Sequence, residues 1–276
     1  MLPSVIVIGA MKCATTSLHY YLGLHPDVSM AAEKELHFFV AERNWPKGLD
    51  WYERQFAGRA AVHGESSTTY ARYPHYAGVP ARMHGVVPDC KLIYVVRDPI
   101  DRIVSHYVHE CAAGREQRSL SEALRDLTGN AYVELSRYAM QLEQYLPYYP
   151  RPRILILTLG DLGARRVETM RRVYDFVGVR DFRHPRFSIV KHSSGSKRRL
   201  SAMGARLAWL PASDLAHCLP PGVRRSAWRL LSLPFSSPVE TPALEGDLRR
   251  RLVDALLPDV ERFRRLTGQP FEAWLR

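Results

Sequence analysis

The sequence predicts an α/β fold in which helices flank a central parallel sheet. Short runs rich in strand-forming residues, typical of buried strands, occur at residues 5–8, 61–64, 92–96 and 154–158. Stretches with helix-spaced apolar residues lie between these runs, as the crossover connections of a parallel sheet require. A glycine turn follows the first run and leads directly into a helix, which is typical of P-loop-like sites.

The helices are predicted from apolar residues that recur at helical spacing. Five of them are expected at residues 15–24, 99–113, 119–126, 138–145 and 165–177. Pro99 suits the first turn of its helix, because the N–H that proline lacks would have no partner there. A final amphipathic helix is predicted at residues 245–266, ended by Gly268, with Trp274 anchoring the tail.

We expect one domain spanning residues 1–276, since α/β domains commonly exceed 200 residues. A nucleotide-binding core is expected at about residues 1–185, followed by a basic lid segment at about 186–199. Residues 200–276 are expected to be mainly helical. The proline-broken, arginine-rich part before residue 243 is interpreted as two short helices that line an acceptor cleft, rest on a membrane surface or only pack.

The first candidate site is an anion-binding turn at residues 9–17. Backbone N–H groups and the positive end of a helix dipole converge where the strand passes into the helix. Lys12 adds a full charge, Thr15, Thr16 and Ser17 add hydroxyl donors, and Cys13 and Ala14 complete the turn. The segment departs from the NTP-binding pattern G-x-x-x-x-G-K-[ST], because its lysine comes too early. Alternatively, Lys12 is an ordinary solvated lysine.

A second candidate phosphate site follows the buried run at residues 92–96. Arg97 can grip a phosphate through two hydrogen bonds, and Ser105 lies along the helix that follows. The other interpretation is a salt bridge between Arg97 and Asp98 at the strand end. Because ligands of open α/β sheets bind beyond the carboxyl ends of strands, both motifs are placed where a nucleotide would bind.

These two motifs together resemble those of sulfotransferases that use 3'-phosphoadenosine 5'-phosphosulfate (PAPS). Residues 9–17 look like the 5'-phosphosulfate loop of that family, and the segment from Arg97 to Ser105 looks like its 3'-phosphate site. Within the superfamily the sequence is similar to the heparan-sulfate type and its bacterial relatives, through the segments HPDV, KELHFF and GLDWY. The resemblance runs from residue 4 to about residue 200 and returns at the C-terminal helix.

The resemblance implies transfer of a sulfuryl group from PAPS to a hydroxyl or amine of a carbohydrate, glycolipid or secondary metabolite. Lys12 would stabilise the bridging oxygen as it gains charge, and Glu35 would take the acceptor's proton. A surface ion pair between Lys34 and Glu35 is the other interpretation of that carboxylate. His37 is expected to contact or orient the acceptor, or to replace Glu35 as the base. No metal is expected.

The sequence departs from the family pattern at two places. Ser66 stands where many relatives have a lysine near the transferred group, so Lys34 or Lys197 is expected to supply the missing charge. Ser196, Lys197 and Arg198 match a Ser-Lys-Gly-Arg loop that closes over the nucleotide, with Arg198 in place of the glycine. This basic segment is therefore expected to be a lid.

Composition limits the partners. Lys and Arg number 39 against 28 Asp and Glu, a formal net charge of +11, which favours polyanions unless it only reflects an arginine-rich composition. No nucleic-acid-binding motif accompanies this charge, so no nucleic-acid partner is expected. The four cysteines show no C-x-x-C spacing and are expected to be reduced thiols. The sequence gives no information on the oligomeric state.

The predicted location is the bacterial cytoplasm. The first predicted strand begins within a few residues of Met1, so no signal peptide is expected. No run of about 20 apolar residues predicts a transmembrane helix, although peripheral contact with a membrane stays open.

Two other function classes remain as alternatives at this stage. A P-loop-type kinase or NTPase is disfavoured by the position of Lys12. A non-catalytic nucleotide or polyanion binder would need neither Lys12 nor Glu35. His106, His109 and Glu110 share one predicted helix, but no distant residue completes a metal site with them.

Overall fold

The computed structural model describes residues 1–189 and 240–275, together with the backbone of residues 198–200 and 236–238. The chain groups into two compact units. The first contains Met1–Ile103, Asp126–His192 and Glu245–Arg276, and the second contains Val104–Arg125 and Ser193–Leu244.

The first unit is built on a five-stranded parallel sheet, which confirms the predicted fold class. Its strands are β1 (Val5–Gly9), β2 (Val28–Met30), β3 (Val62–Ser66), β4 (Lys91–Val96) and β5 (Ile154–Thr158). Their spatial order is β2-β3-β1-β4-β5, with every pairing parallel. Because β1 and β3 are buried along their whole length, the centre of the sheet is covered by other elements.

Helices connect and flank these strands. Those whose residues begin in the first unit are α1 (Thr15–Leu22), α2 (Gly48–Glu53), α3 (Val79–Val86), α4 (Pro99–Ala112), α6 (Ala131–Glu134), α7 (Tyr138–Glu143), α8 (Leu159–Ala164), α9 (Arg166–Val177) and α10 (Gly246–Thr267). None of the helices in the described parts of the chain is long and apolar enough to cross a membrane.

The second unit contains the later turns of α4, from Val104 onward, and the short helix α5 (Leu120–Ala123). Ser119 caps α5 reciprocally with Glu122, whose side chain returns to the Ser119 backbone. Two short antiparallel strands, β6 (Arg198–Leu200) and β7 (Ser236–Pro238), also belong to this unit.

Some elements of the structure differ from those predicted from the sequence. The three-residue strand β2 was not predicted, because so short a run carries no periodic signal. The predicted helix at 119–126 shortens to α5, and β3 extends two residues beyond the predicted strand to include Glu65 and Ser66. The two helices expected before residue 243 and the basic lid segment fall mostly outside the described residues.

The C-terminal helix α10 is joined to the start of α7 by Asp259. Its carboxylate accepts hydrogen bonds from the backbone N–H groups of Ala139 and Met140, each at 3.0 Å, at the start of α7. Near the chain end, the Leu275 N–H donates to Asp98 at 2.7 Å. The C-terminal segment therefore holds both α7 and the start of α4.

Candidate active site

The loop after β1 has the backbone of an anion-binding turn. Lys12 and Ala14 have left-handed backbones, with φ values of 72° and 62°. Residues other than glycine adopt this conformation at a cost, and such residues cluster at functional sites. α1 begins at Thr15 with no acidic side chain in its first turn and with no side chain capping its N-terminus. The helix start thus lacks the side-chain cap and the acidic residue that would compete with an anionic ligand there.

Gly9 lets this loop lie close against the segment that follows β3. A Cβ atom at residue 9 would lie 2.9 Å from Cβ of Ala71 and 3.1 Å from the Tyr94 ring. Both distances are shorter than a Cβ normally tolerates, so glycine is required by close approach and not by its φ angle. The loop carrying Lys12 is thereby placed beside the turn around Ala71.

Tyr138 links the two predicted phosphate motifs. Its hydroxyl lies 3.9 Å from Sγ of Cys13 and 3.5 Å from the backbone N of Arg97. Burial raises the pKa of the Cys13 thiol to about 11, so this side chain is a neutral group turned into the protein. The backbone N–H of Cys13 donates to Ala10 at 3.2 Å. The buried side chains of Cys13 and Tyr138 therefore connect the two motifs.

Arg97 and Asp98 have separate partners at the end of β4. Arg97 donates to Asp101 one turn along α4 at 3.0 Å, and its side chain is 21% exposed. The Nε atom of Arg97 is buried without a hydrogen-bond partner among the described residues. Asp98 accepts from the N–H groups of Ile100 and Asp101 and so caps α4. The Arg97–Asp98 salt bridge considered from the sequence is replaced by this arrangement.

The other predicted residues of the second motif are only partly described. Ser105 lies on α4, in the portion that belongs to the second unit. Ser196 and Lys197 lie outside the described residues, and Arg198 is described only as backbone in β6.

Glu35 is held in a fixed orientation by several donors. Its carboxylate accepts from the Thr68 N–H at 2.7 Å and from the Thr68 hydroxyl at 3.2 Å, and it forms a close ion pair with Lys34. Its own N–H donates to the Ser66 carbonyl at 2.9 Å, which binds this loop to the end of β3. The ion pair with Lys34 is present, but the Glu35 side chain is only 27% exposed.

His37 lies beside this carboxylate. Its Nδ1 is 3.9 Å from Glu35 Oε2 and 2.8 Å from the Thr69 hydroxyl. Burial lowers the pKa of His37, more than the nearby Glu35 charge raises it, so the neutral imidazole is favoured. Both Glu35 and His37 have left-handed backbones, with φ values of 68° and 51°. The backbone of this segment is therefore strained at both residues that carry the titratable side chains of the candidate site.

No three His, Cys, Asp or Glu side chains within the described ranges are grouped as a metal site would require. The expectation that no metal is needed stays a prediction.

The comparisons with known proteins decide the family. A model described as "Sulfotransferase domain" matches residues 2–205. The chain belongs to the sulfotransferase domain family. A solved structure of a sulfotransferase from Alicyclobacillus acidocaldarius is 25% identical, covers 100% of each chain and superposes with a TM-score of 0.71. These matches favour neither a kinase nor a non-catalytic binder.

The sulfotransferase domain is also similar to two kinds of curated protein. Heparan sulfate glucosamine 3-O-sulfotransferase 3A1 of Mus musculus is 29% identical over 98% of this chain and 64% of its own length. Bifunctional heparan sulfate N-deacetylase/N-sulfotransferase 2 of Homo sapiens is 30% identical over 66% of this chain and 22% of its own length. The chain therefore spans less than two thirds of the length of these relatives.

The sulfotransferase domain has a neutral contact at the position where the family pattern has lysine. Ser66 is fully buried, and its hydroxyl lies 3.0 Å from Nδ1 of His19 on α1. Burial, assisted by the positive charge of Lys34, lowers the pKa of His19 to about 4. Both partners are uncharged at neutral pH, so this pair carries no positive charge into the site.

Glu65, which sequence analysis missed as a separate group, lies beneath the site of the sulfotransferase domain. Its carboxyl is buried and accepts from the hydroxyls of Tyr52, Tyr70 and Ser67. Ser67 in turn accepts from the His37 N–H at 3.1 Å. Burial raises the pKa of Glu65 to about 7, against the opposing effect of these hydrogen bonds. Glu65 thus supports the backbone of the loop that presents His37.

The raised pKa of Glu65 predicts how the free energy of unfolding depends on pH. A carboxyl whose pKa rises from 4.5 when unfolded to about 7 when folded stabilises the protein below pH 4.5 relative to higher pH. We expect wild type to lose about 3 kcal/mol of unfolding free energy, relative to Glu65→Gln, as the pH rises from 4.5 through 7. Urea denaturation across this range measures the difference. The exposed variant Glu42→Gln should follow wild type, and a constant difference between wild type and Glu65→Gln would contradict the prediction.

Proposed function

We propose that this chain transfers a sulfuryl group from PAPS to a hydroxyl or amine of a carbohydrate. The observation that carries the proposal is the meeting of the Lys12 loop with Arg97 through Tyr138, since PAPS has one phosphate for each motif. The family match supports the reaction class.

The proposed roles follow from the chemistry of in-line transfer. Lys12 and the N–H groups at the start of α1 bind the 5'-phosphosulfate, with Thr15, Thr16 and Ser17 as hydroxyl donors. Arg97 and Ser105 bind the 3'-phosphate. Glu35 takes the acceptor's proton while the new bond to sulfur forms. As this bond forms, the bond between sulfur and the bridging phosphate oxygen breaks, and Lys12 stabilises the charge left on that oxygen.

His37 is proposed to orient the acceptor. Its Nδ1 is engaged by Thr69, so Nε2 is the ring nitrogen that an acceptor hydroxyl would approach. Because its lowered pKa favours the neutral imidazole, His37 can accept a hydrogen bond. If Glu35 is not the base, this same nitrogen would be the next candidate.

The printed names of the relatives suggest the acceptor class. One group is named for 3-O-sulfation of heparan sulfate glucosamine, and the other for N-sulfation of heparan sulfate. Both acceptors are amino sugars, which supports a glycan acceptor but leaves hydroxyl and amine open. These names favour a glycan over the secondary metabolites that the sequence also allowed as acceptors. A bacterial cytoplasmic location, in line with the buried free thiols of Cys13, Cys90 and Cys111, is part of the same proposal.

A transfer assay tests the reaction. The chain is incubated with PAPS carrying ³⁵S and with three acceptors: an N-sulfated glycan, a de-N-acetylated glycan and a simple sugar alcohol. We expect label on at least one amino-sugar glycan and little on the sugar alcohol. Mass spectrometry of the product then assigns label to oxygen or nitrogen. Release of labelled sulfate without transfer to any glycan would contradict the proposed acceptor class.

The 3'-phosphate assignment predicts a nucleotide preference. Wild type should bind 3'-phosphoadenosine 5'-phosphate (PAP) much more tightly than AMP, and Arg97→Ala should remove most of that preference. Loss of a charged hydrogen bond is worth about 1.5–3 kcal/mol, or roughly 10- to 150-fold in affinity. Isothermal titration calorimetry measures both affinities. Arg171→Ala, at an exposed arginine paired with Asp181, is the matched control. Equal wild-type affinity for PAP and AMP would disprove the assignment.

A further inference from the structure

The site is short of one positive charge if transfer follows the family pattern. Ser66 replaces the lysine and is occupied by its contact with His19. Lys34 was the first replacement expected from the sequence, but its ammonium is paired with Glu35. Lys197, the other expected replacement, lies outside the described residues, which leaves the other cations that the structure describes as candidates.

Arg72 is a candidate for this cation because of its position between two segments of the site. It directly follows the 3-10 turn Thr68–Ala71, which begins with the residue that orients Glu35. Its Nη2 donates to Sδ of Met11 at 2.8 Å, and Met11 immediately precedes Lys12. The close approach of Gly9 to Ala71 places the same two segments side by side through the backbone. The contact with Met11 therefore puts the guanidinium against the Lys12 loop, and the packing of Gly9 against Ala71 agrees with this placement.

The charge of Arg72 also reaches the acceptor side. Burial is the main cause that lowers the pKa of His37, and the charges of Arg43, Arg72 and Lys34 lower it further, so the guanidinium is near enough to act on that imidazole. Arg72 is only partly buried, so part of its side chain is accessible. Its position thus lies between the loop that would bind the donor and the residues that would activate the acceptor.

The partner at Met11 is one that a ligand can replace. A thioether sulfur is a weak hydrogen-bond acceptor, whereas a sulfonyl oxygen is strong and carries negative charge. A guanidinium presents several N–H groups in one plane and can bind two such oxygens at once. If Arg72 donated to sulfonyl oxygens in place of the Met11 sulfur, its hydrogen bonds would become stronger and it would stay beside the Lys12 loop.

We propose that Arg72 binds the sulfonyl oxygens of the donor and supplies the charge that Ser66 does not. The inference rests on the proposed function and deepens it by assigning a further catalytic residue. During transfer the sulfuryl group stays bound to Arg72, while the bond to the phosphate oxygen breaks and the bond to the acceptor forms. Lys12 then serves the leaving oxygen and Arg72 serves the group in transit.

The test compares ligands that differ only by the sulfonate. Affinities for PAPS and PAP are measured without acceptor, for wild type, Arg72→Gln and Arg72→Lys. We expect Arg72→Gln to weaken PAPS binding by about 10-fold or more and PAP binding by less than about 3-fold. Transfer should fall by about 10²-fold. Arg72→Lys keeps the charge and should retain part of the PAPS preference.

Arg43→Gln is the matched control, because Arg43 also acts on His37 but is exposed and contacts Tyr76. It should preserve the ratio of PAPS to PAP affinity. Wild type that binds neither nucleotide would reject the proposed function itself. Wild type that binds both, with an unchanged affinity ratio in Arg72→Gln and Arg72→Lys, would reject only the role of Arg72. An equal loss for both nucleotides in folded Arg72→Gln would show a structural role and reject it too.

Discussion

Glu35→Gln should leave PAP affinity near the wild-type value and lower transfer by about 10²–10⁴-fold, the usual contribution of a general base. The physical reason is that Gln keeps the size of the side chain and an acceptor oxygen for Thr68, but cannot take a proton. Nucleotide binding is expected to persist because the proposed donor contacts come from the Lys12 loop and Arg97. Calorimetry with PAP and steady-state transfer to a glycan measure the two effects separately.

Glu33→Gln is the control for this substitution. Glu33 is exposed and lies two residues before Glu35, so its variant should transfer at the wild-type rate. Near-normal transfer by Glu35→Gln would make His37 the leading candidate for the base. A loss of PAP affinity equal to the loss of transfer would instead mean that the Lys34–Glu35 pair shapes the donor site.

Lys12→Ala is expected to reduce both transfer and donor affinity. Removing one group that stabilises developing charge typically costs about 10²–10³-fold in turnover. The ground-state effect should be smaller, since the α1 N-terminus still binds the phosphate when the lysine is absent. The ratio of the two losses, obtained from kcat and from PAP affinity, reports how much Lys12 acts in the transition state.

Lys47→Ala serves as the matched control, because Lys47 is exposed and packs on Trp51 at 4.4 Å from the ring centroid. It should alter neither quantity. If Lys12→Ala lowers PAP affinity as much as it lowers kcat, its role is uniform binding and not stabilisation of the leaving group. If neither quantity changes, Lys12 is the solvated lysine considered from the sequence.

The sequence by itself predicted the parallel α/β class, because buried strands and amphipathic helices leave local patterns in the chain. It also indicated a candidate anion-binding turn, since Gly9, Lys12 and the three hydroxyl residues after it lie within nine residues. The segment around Glu35 was found by family resemblance, although its left-handed backbone was not foreseen. All of these signals are contained within short windows.

Only the tertiary structure revealed the contacts that join these windows. Tyr138 connects Cys13 to Arg97, Asp259 from α10 caps the helix that carries Tyr138, and Arg72 lies on Met11. Each pair is far apart in the chain and has no shared periodicity or motif. Such contacts depend on how strands order in the sheet and how helices pack on it, because these determine which distant side chains become neighbours. Local composition and residue spacing therefore do not predict these long-range contacts.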